Sequence, residues 1–110
     1  MRPRDKGTRA ESAVAEWLGG AGFTGVTRAP LWGEHDRGDI VGVPFVVSVK
    51  DHKEARLAEW VDRLGVMVVN SGHQWGVVIH KRQRKGNPSD WYVTTSGGLW
   101  LRMVDGHLNR

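Results

Sequence analysis

The chain has 110 residues, which is enough for one domain with a single hydrophobic core and too few for two ordinary domains. Sixteen lysines and arginines against twelve aspartates and glutamates give a net charge of +4, which suits a polyanionic partner such as nucleic acid. The absence of cysteine excludes disulfides and thiolate zinc sites, and no apolar run approaches the roughly 20 residues that span a bilayer. The charged N-terminus lacks the apolar stretch of a secretory signal. We therefore expect one intracellular, cytoplasmic domain over residues 1–110, with no membrane partner.

The N-terminal part predicts a basic flexible arm over residues 1–7, followed by a helix. This helix begins at Thr8 and runs to about Leu18, where a pair of glycines ends it. Thr8 and Glu11 match the S/T-x-x-E capping box, which is the structural explanation for the glutamate. At 100° per residue, however, Glu11 lies on the edge of the apolar stripe of the helix. We therefore expect its side chain to point toward whatever this helix packs on.

The remaining chain predicts five strands and a second helix. Strands are predicted at 26–32, 39–41, 45–50, 75–80 and 91–95, with a helix capped by Asp51 running to about residue 70. The second and third strands form a hairpin around Gly42 and Pro44. A helix between the third and fourth strands favours a parallel crossover, and hence a mixed sheet flanked by helices. The tail from Gly98 predicts either a short strand or a helical turn.

Polar side chains converge at one end of the predicted hairpin. Asp39 opens the second strand and Lys50 closes the third, so a hairpin brings these two residues together. Glu11 approaches from the first helix. Two carboxylates suit Mg²⁺, which lowers the pKa of a bound water and neutralises charge on a phosphoryl group. A nearby lysine can position the attacking water and stabilise the same charge.

In this order, the motifs resemble those of the PD-(D/E)xK nuclease superfamily. A helical glutamate, an aspartate and a strand ending in acid-x-Lys are its signature. The surroundings are similar to those of Holliday junction resolvases of the archaeal and phage type. The likeness covers residues 7 to about 95 and is carried by Gly7-Thr8-Arg9-Ala10-Glu11, by the Leu18 to Phe23 turn, by Gly38-Asp39-Ile40 and by Val47-Ser48-Val49-Lys50. The resemblance implies a restriction-endonuclease-like αβββαβ core.

The resemblance also implies a site, a cofactor and partners. Glu11, Asp39 and the backbone carbonyl of Val49 would hold Mg²⁺, with Mn²⁺ as a substitute, and Lys50 would serve catalysis. The expected activity is that of a structure-specific endonuclease that nicks four-way junctions, as in DNA recombination and repair. The substrate would be branched double-stranded DNA, cut by a homodimer with two sites related by two-fold symmetry.

Ser48 departs from the family pattern. The resemblance assigns this position, among the catalytic residues, to an acid that coordinates the metal, whereas serine is a neutral and weaker ligand. Water can fill the place, or another acid (Asp51, Glu34 or Asp36) can supply it. A second hypothesis is therefore a nuclease-fold DNA-binding protein whose cleavage is weak or lost.

Basic residues in several segments are candidates for contacts with the DNA backbone. Such contacts give affinity without reading sequence, which suits structure-specific binding. The alternative for any one of them is a solvated surface charge. The candidates are Arg4, Lys6, Arg9, Arg37, Lys53, Lys81, Arg82, Arg84 and Lys85.

Overall fold

The computed structural model describes residues 3–108, with side chains from residue 6 onward. Within that range the order of elements is helix, three strands, helix, strand, a short 3₁₀ turn, strand and helix. Their bounds are α1 Pro3–Gly20, β1 Thr27–Arg28, β2 Ile40–Val41, β3 Val46–Lys50, α2 Leu57–Ser71, β4 Gly76–His80, a 3₁₀ turn at Pro88–Asp90, β5 Tyr92–Thr94 and α3 Gly97–Leu108.

The first helix is longer than predicted. It begins at Pro3, so the described part of the predicted arm is helical and the predicted start at Thr8 is wrong. The capping box of Thr8 and Glu11 is wrong for the same reason, since both residues lie inside the helix.

The main sheet has the order β3-β4-β5, with β4 in the centre. Strands β3 and β4 are parallel, in a register that runs from Val46 opposite Gly76 to Lys50 opposite His80. Helix α2 makes the crossover between them, and β5 then pairs with β4 in the antiparallel direction. The predicted parallel crossover and mixed sheet are confirmed.

Strands β1 and β2 form a separate antiparallel pair, with Thr27 opposite Val41. The predicted hairpin is therefore only partly correct. The chain does reverse between β2 and β3, but β2 pairs with β1. A single backbone bond, from the Asp39 N–H to the Val47 carbonyl at 2.7 Å, links this segment to β3.

The second helix starts later and the third helix is longer than the sequence indicated. Arg56 is the N-cap of α2 and makes no side-chain capping bond, so the predicted cap at Asp51 is wrong. The Asp51 carboxylate instead faces the Lys6 amine on α1, 3.7 Å away. The predicted end is confirmed, because Gly72 closes α2 in the left-handed conformation at φ 77°. The tail is neither strand nor single turn, since α3 spans Gly97–Leu108.

Two apolar layers cover the two faces of the main sheet. On one face α1 packs on Val47, Val49, Val77 and Ile79, and on the other α2 and Leu99 of α3 pack on Val46 and Val78. The alternation of β3 side chains between the two layers follows from strand geometry. The chain is thus an α/β domain with helices on both faces of a mixed sheet. No helix within residues 3–108 has the length and apolar character needed to cross a membrane.

Candidate active site

Asp39 lies where the small sheet meets β3, and its backbone is held on both sides. Its carbonyl accepts a hydrogen bond from the Ala29 N–H at 2.8 Å, and its own N–H donates to the Val47 carbonyl at 2.7 Å. The side chain adds a third link, since Oδ2 accepts from the Val49 N–H at 2.7 Å. These bonds fix the carboxylate against the edge of β3 that does not pair with β4.

Gly38 permits this close approach. Its φ of 101° is unfavourable for residues with a side chain, and a Cβ atom there would lie 2.9 Å from the Val47 carbonyl oxygen. Two side chains hold the backbone of Gly38. Asp36 Oδ1 accepts from the Gly38 N–H at 2.9 Å, and Trp32 Nε1 donates to the Gly38 carbonyl at 2.8 Å. The polar loop before Asp39 is therefore built to present the aspartate.

Glu11 comes from the edge of the buried stripe of α1, and 19% of its side chain is exposed. Burial raises the pKa of the Glu11 carboxyl above 4.5, and the negative charge of Asp39 raises it further. The charges of Arg28 and Lys50 lower it. The Arg28 guanidinium lies 3.9 Å from the Glu11 carboxylate. A carboxylate from the helix and one from the loop before β2 thus share one pocket, close enough for their charges to interact.

Asp39 is also perturbed. Burial raises the pKa of its carboxyl above 3.8, and the Asp36 charge adds to that effect. The hydrogen bond from the Val49 N–H and the charges of Lys50 and Arg28 oppose it. A bound cation would stabilise the charged form of a desolvated carboxylate that lies beside another acid.

Lys50 lies within electrostatic reach of both carboxylates. It ends β3 and is half-buried. Its positive charge acts on both Glu11 and Asp39, lowering the pKa of each carboxyl. Glu11 and Asp39 thus line one pocket, and Lys50, which does not line it, acts on both carboxylates from the end of β3.

The backbone carbonyl of Val49 faces the same edge. The N–H and C=O groups of one residue in a strand point to the same side. The Val49 N–H points to the Asp39 carboxylate, whereas the neighbouring Lys50 carbonyl accepts from the Lys81 N–H on the β4 side at 2.9 Å. The Val49 carbonyl is thus directed toward the carboxylates and away from the β4 ladder.

Ser48 lies elsewhere. Its side chain is 1% exposed, and by alternation it shares the face of Val46, which packs under α2. Glu11 belongs to the helix on the opposite face. The predicted catalytic position Ser48 is therefore a core position in this fold.

Of the acids that could replace a ligand at position 48, Asp36 lies nearest to the site. It lines the same pocket as Glu11 and Asp39. Asp51 faces Lys6, and its buried Oδ1 makes no hydrogen bond. Glu34 is exposed.

Sequence reasoning did not assign Arg28 or Trp32 to the site, and it offered Asp36 only as a substitute acid. All three line the pocket that holds the two carboxylates. In the sequence, Arg28 could have been noticed as a charged residue inside a predicted strand. Nothing in the sequence indicated that the Trp32 indole would hold the Gly38 carbonyl.

Three of the predicted DNA contacts line one groove on the α2 side of the sheet, next to the strand that ends in Lys50. Lys53, Lys81 and Arg82 surround a depression that also includes His80 and Tyr92. The groove lies at the carboxyl ends of β3 and β4, where Lys50 and His80 are register partners.

The other predicted contacts are scattered, and two already have partners. Lys6 pairs with Asp51 at 3.7 Å, and the Arg37 guanidinium lies 5.3 Å from the centre of the Trp32 ring. The side chain of Arg4 lies outside the described residues. The remaining contacts are exposed: Arg9, Arg84 and Lys85.

The donor set fits a hard divalent cation with few protein ligands. No group of three or more His, Cys, Asp or Glu side chains in residues 3–108 is placed to hold a metal ion. Mg²⁺ usually keeps several waters and takes one or two carboxylates with the substrate phosphate. Glu11, Asp39 and a backbone carbonyl supply oxygen ligands of that kind, from desolvated carboxylates with raised pKa values.

Comparison with known proteins finds no relative, since no family model, curated protein or solved structure matches the chain. The resemblance to the PD-(D/E)xK nucleases therefore rests on the residues that carry it and stays a prediction.

Proposed function

We propose that this protein is a Mg²⁺-dependent, structure-specific DNA endonuclease that nicks branched DNA, such as four-way junctions, by phosphodiester hydrolysis. The supporting observation is the pocket that Glu11 and Asp39 share, with the positive charge of Lys50 acting on both carboxylates. In this proposal the element order from α1 to β4 is a restriction-endonuclease-like core.

Each residue of the group has a definite task. Glu11, Asp39 and the Val49 carbonyl would hold the cation. Mg²⁺ supplies an acidified water and neutralises charge on the phosphate. Lys50 places a positive charge where it can orient the attacking water and stabilise the oxygen on which charge builds. Gly38 keeps the aspartate at its position against β3.

DNA would lie across the carboxyl ends of β3 and β4. The cations of Lys53, Lys81 and Arg82 line a groove there, next to the strand that ends in Lys50. Contacts with phosphates from such residues would position the backbone without reading its sequence.

A homodimer is part of the same proposal, because two sites related by a two-fold axis match a four-way junction. Helix α3 offers apolar surface for it, since Trp100, Leu101 and Leu108 are each at least half exposed. Light scattering of the purified protein measures this directly.

A second candidate is a protein that binds branched DNA without cutting it. The observation in its favour is the burial of Ser48, which leaves the site without the acid that the resemblance places at that position. With two carboxylates the cation would be held more weakly. Both candidates share the DNA groove and differ only in cleavage.

A cleavage assay on a synthetic four-way junction separates the two candidates. Wild-type protein with Mg²⁺ or Mn²⁺ should produce paired nicks in opposed strands. Asp39→Asn and Lys50→Met should abolish them, while the exposed α2 residue Asp62, changed to asparagine, should have no effect. Binding without nicks supports the second candidate, and neither binding nor cutting contradicts both.

A further inference from the structure

A row of aromatic rings lines the basic groove on the α2 side of the sheet. The centre of the His52 ring lies 5.6 Å from that of Trp60, Trp60 lies 5.5 Å from His80, and His80 lies 5.2 Å from Tyr92. All four residues line the same depression. The rings come from the loop after β3, from α2, from β4 and from β5, so the fold assembles them from four separate segments.

Core packing does not explain the placement of Tyr92. Trp60 is 6% exposed and belongs to the core under α2, whereas Tyr92 is 53% exposed. One side of Tyr92 meets His80, and the Arg82 guanidinium lies 5.5 Å from its centre. An amphipathic ring that presents half its surface to a groove is suited to binding a flat partner.

The neighbouring residue His80 can stack as a neutral ring. Burial lowers the pKa of His80, so the imidazole is uncharged at neutral pH. Its Nε2 lies 2.7 Å from the Thr94 hydroxyl, which fixes the plane of the ring beside Tyr92. The positive charge of the groove is therefore carried by the lysine and arginine side chains around the rings.

We propose that this groove binds an unpaired nucleobase, stacked on Tyr92 with its flanking phosphates on Lys53, Lys81 and Arg82. Aromatic side chains among basic ones are the usual means by which proteins hold single-stranded nucleotides. Cationic side chains on the rim favour a nucleotide over an uncharged aromatic ligand. This inference rests on the proposed function, since it names the part of the DNA that the same protein would take.

The position of the groove gives the stacking a role in choosing the substrate. His80 is the register partner of Lys50, so the two strand ends are about 4.8 Å apart. Tyr92 is in turn the register partner of His80, so a base stacked on Tyr92 would lie two strand spacings, roughly 10 Å, from Lys50 and on the α2 side of the sheet. Branch points and gaps expose such bases, whereas continuous duplex DNA does not.

Fluorescence anisotropy with two DNAs tests the inference. One is a fully paired duplex, and the other carries a single unpaired thymine at its centre. Tyr92→Thr removes the ring but keeps a residue that favours strands. It should weaken binding of the DNA with the unpaired base about 5- to 150-fold, from a stacking contribution of about 1–3 kcal/mol per base.

The same change should alter duplex binding less than about twofold and leave its salt dependence unchanged, because no phosphate contact is lost. Two controls accompany it. Tyr92→Phe keeps the ring and should bind like the wild type, and Val93→Thr changes an exposed residue of the same strand that does not line the groove. A 2-aminopurine at the unpaired position should lose emission when the wild-type protein binds.

The outcomes separate the inference from the function on which it rests. If the wild type binds both DNAs but Tyr92→Thr weakens both equally, or the 2-aminopurine emission does not fall, the stacking site is wrong and the endonuclease proposal stands. If the wild type binds neither DNA, the stacking site is wrong, and the cleavage assay on the four-way junction decides the endonuclease proposal separately.

Discussion

Placing a glutamate at position 48 is a sharp test of the arrangement described above. The family resemblance suggests that Ser48→Glu restores a missing metal ligand. The structure predicts instead that it damages the fold, because the Ser48 side chain is 1% exposed on the face that packs under α2. The new carboxylate would lie among apolar side chains such as Val46 and Val78.

The cost can be estimated from burial. An ionised carboxylate in a protein interior costs several kcal/mol after relaxation, and forcing additional methylene groups into a packed core adds about 1–3 kcal/mol. A loss of about 4 kcal/mol or more would remove much of the roughly 5–15 kcal/mol that stabilises a domain of this kind. At about 2 kcal/mol per molar urea, the unfolding midpoint should fall by about 2 M.

Urea unfolding followed by circular dichroism measures this difference. Ser48→Ala is the control, and the loss of one hydroxyl should change the free energy of unfolding by no more than about 1.5 kcal/mol. The deficit of Ser48→Glu should shrink at acidic pH, where the new carboxyl is protonated and neutral. A variant as stable as Ser48→Ala at neutral pH, or one that Mg²⁺ fully restores, would show that position 48 reaches the metal site and that its placement in the core is wrong.

Three further predictions follow from the site and its surroundings. The pKa values of Glu11 and Asp39 are raised in the folded state, so their contribution to stability is present below the unfolded pKa values and is lost as pH rises through the folded ones. As the pH rises from about 4 to about 7, the free energy of unfolding should therefore fall less in Asp39→Asn than in the wild type, as measured by urea titrations. Gly38→Ala should cost about 1–3 kcal/mol in thermal unfolding because of its positive φ and close contact, whereas Gly65→Ala, which has open space inside α2, should gain about 0.5–1 kcal/mol. Lys81→Ala should weaken binding of all DNAs equally and reduce the salt slope by about 1 in anisotropy titrations.

The periodicity of apolar residues predicted most of the fold. The strand that ends in His80, the helix that ends before Gly72 and the parallel crossover are all confirmed, because each depends on a long apolar pattern or a clear stop signal. The errors lie at element starts. Gly7 and the Thr8–Glu11 pattern suggested a helix start that Pro3 provides, and Asp51 suggested a cap although its carboxylate faces Lys6.

The sequence predicted those site residues that lie on or next to regular helices and strands. Glu11 follows from the helical stripe, and the chain reversal brings Asp39 and Lys50 together. The burial of Ser48 could not be predicted. Alternation places Ser48 on the same face as Lys50, but it does not say which part of that face α2 covers. The pairing of Arg28 with the glutamate depends on β1 joining β2, which is a tertiary contact that no local pattern specifies.

The central claim is that Glu11, Asp39 and the Val49 carbonyl bind one divalent ion beside Lys50. Addition of Mn²⁺ to isotopically labelled protein, followed by amide NMR spectra, tests it without relying on cleavage. We expect paramagnetic broadening around these residues, and its loss in Asp39→Asn. Broadening centred elsewhere, for example on the histidines of the aromatic groove, or none at all, would contradict the account.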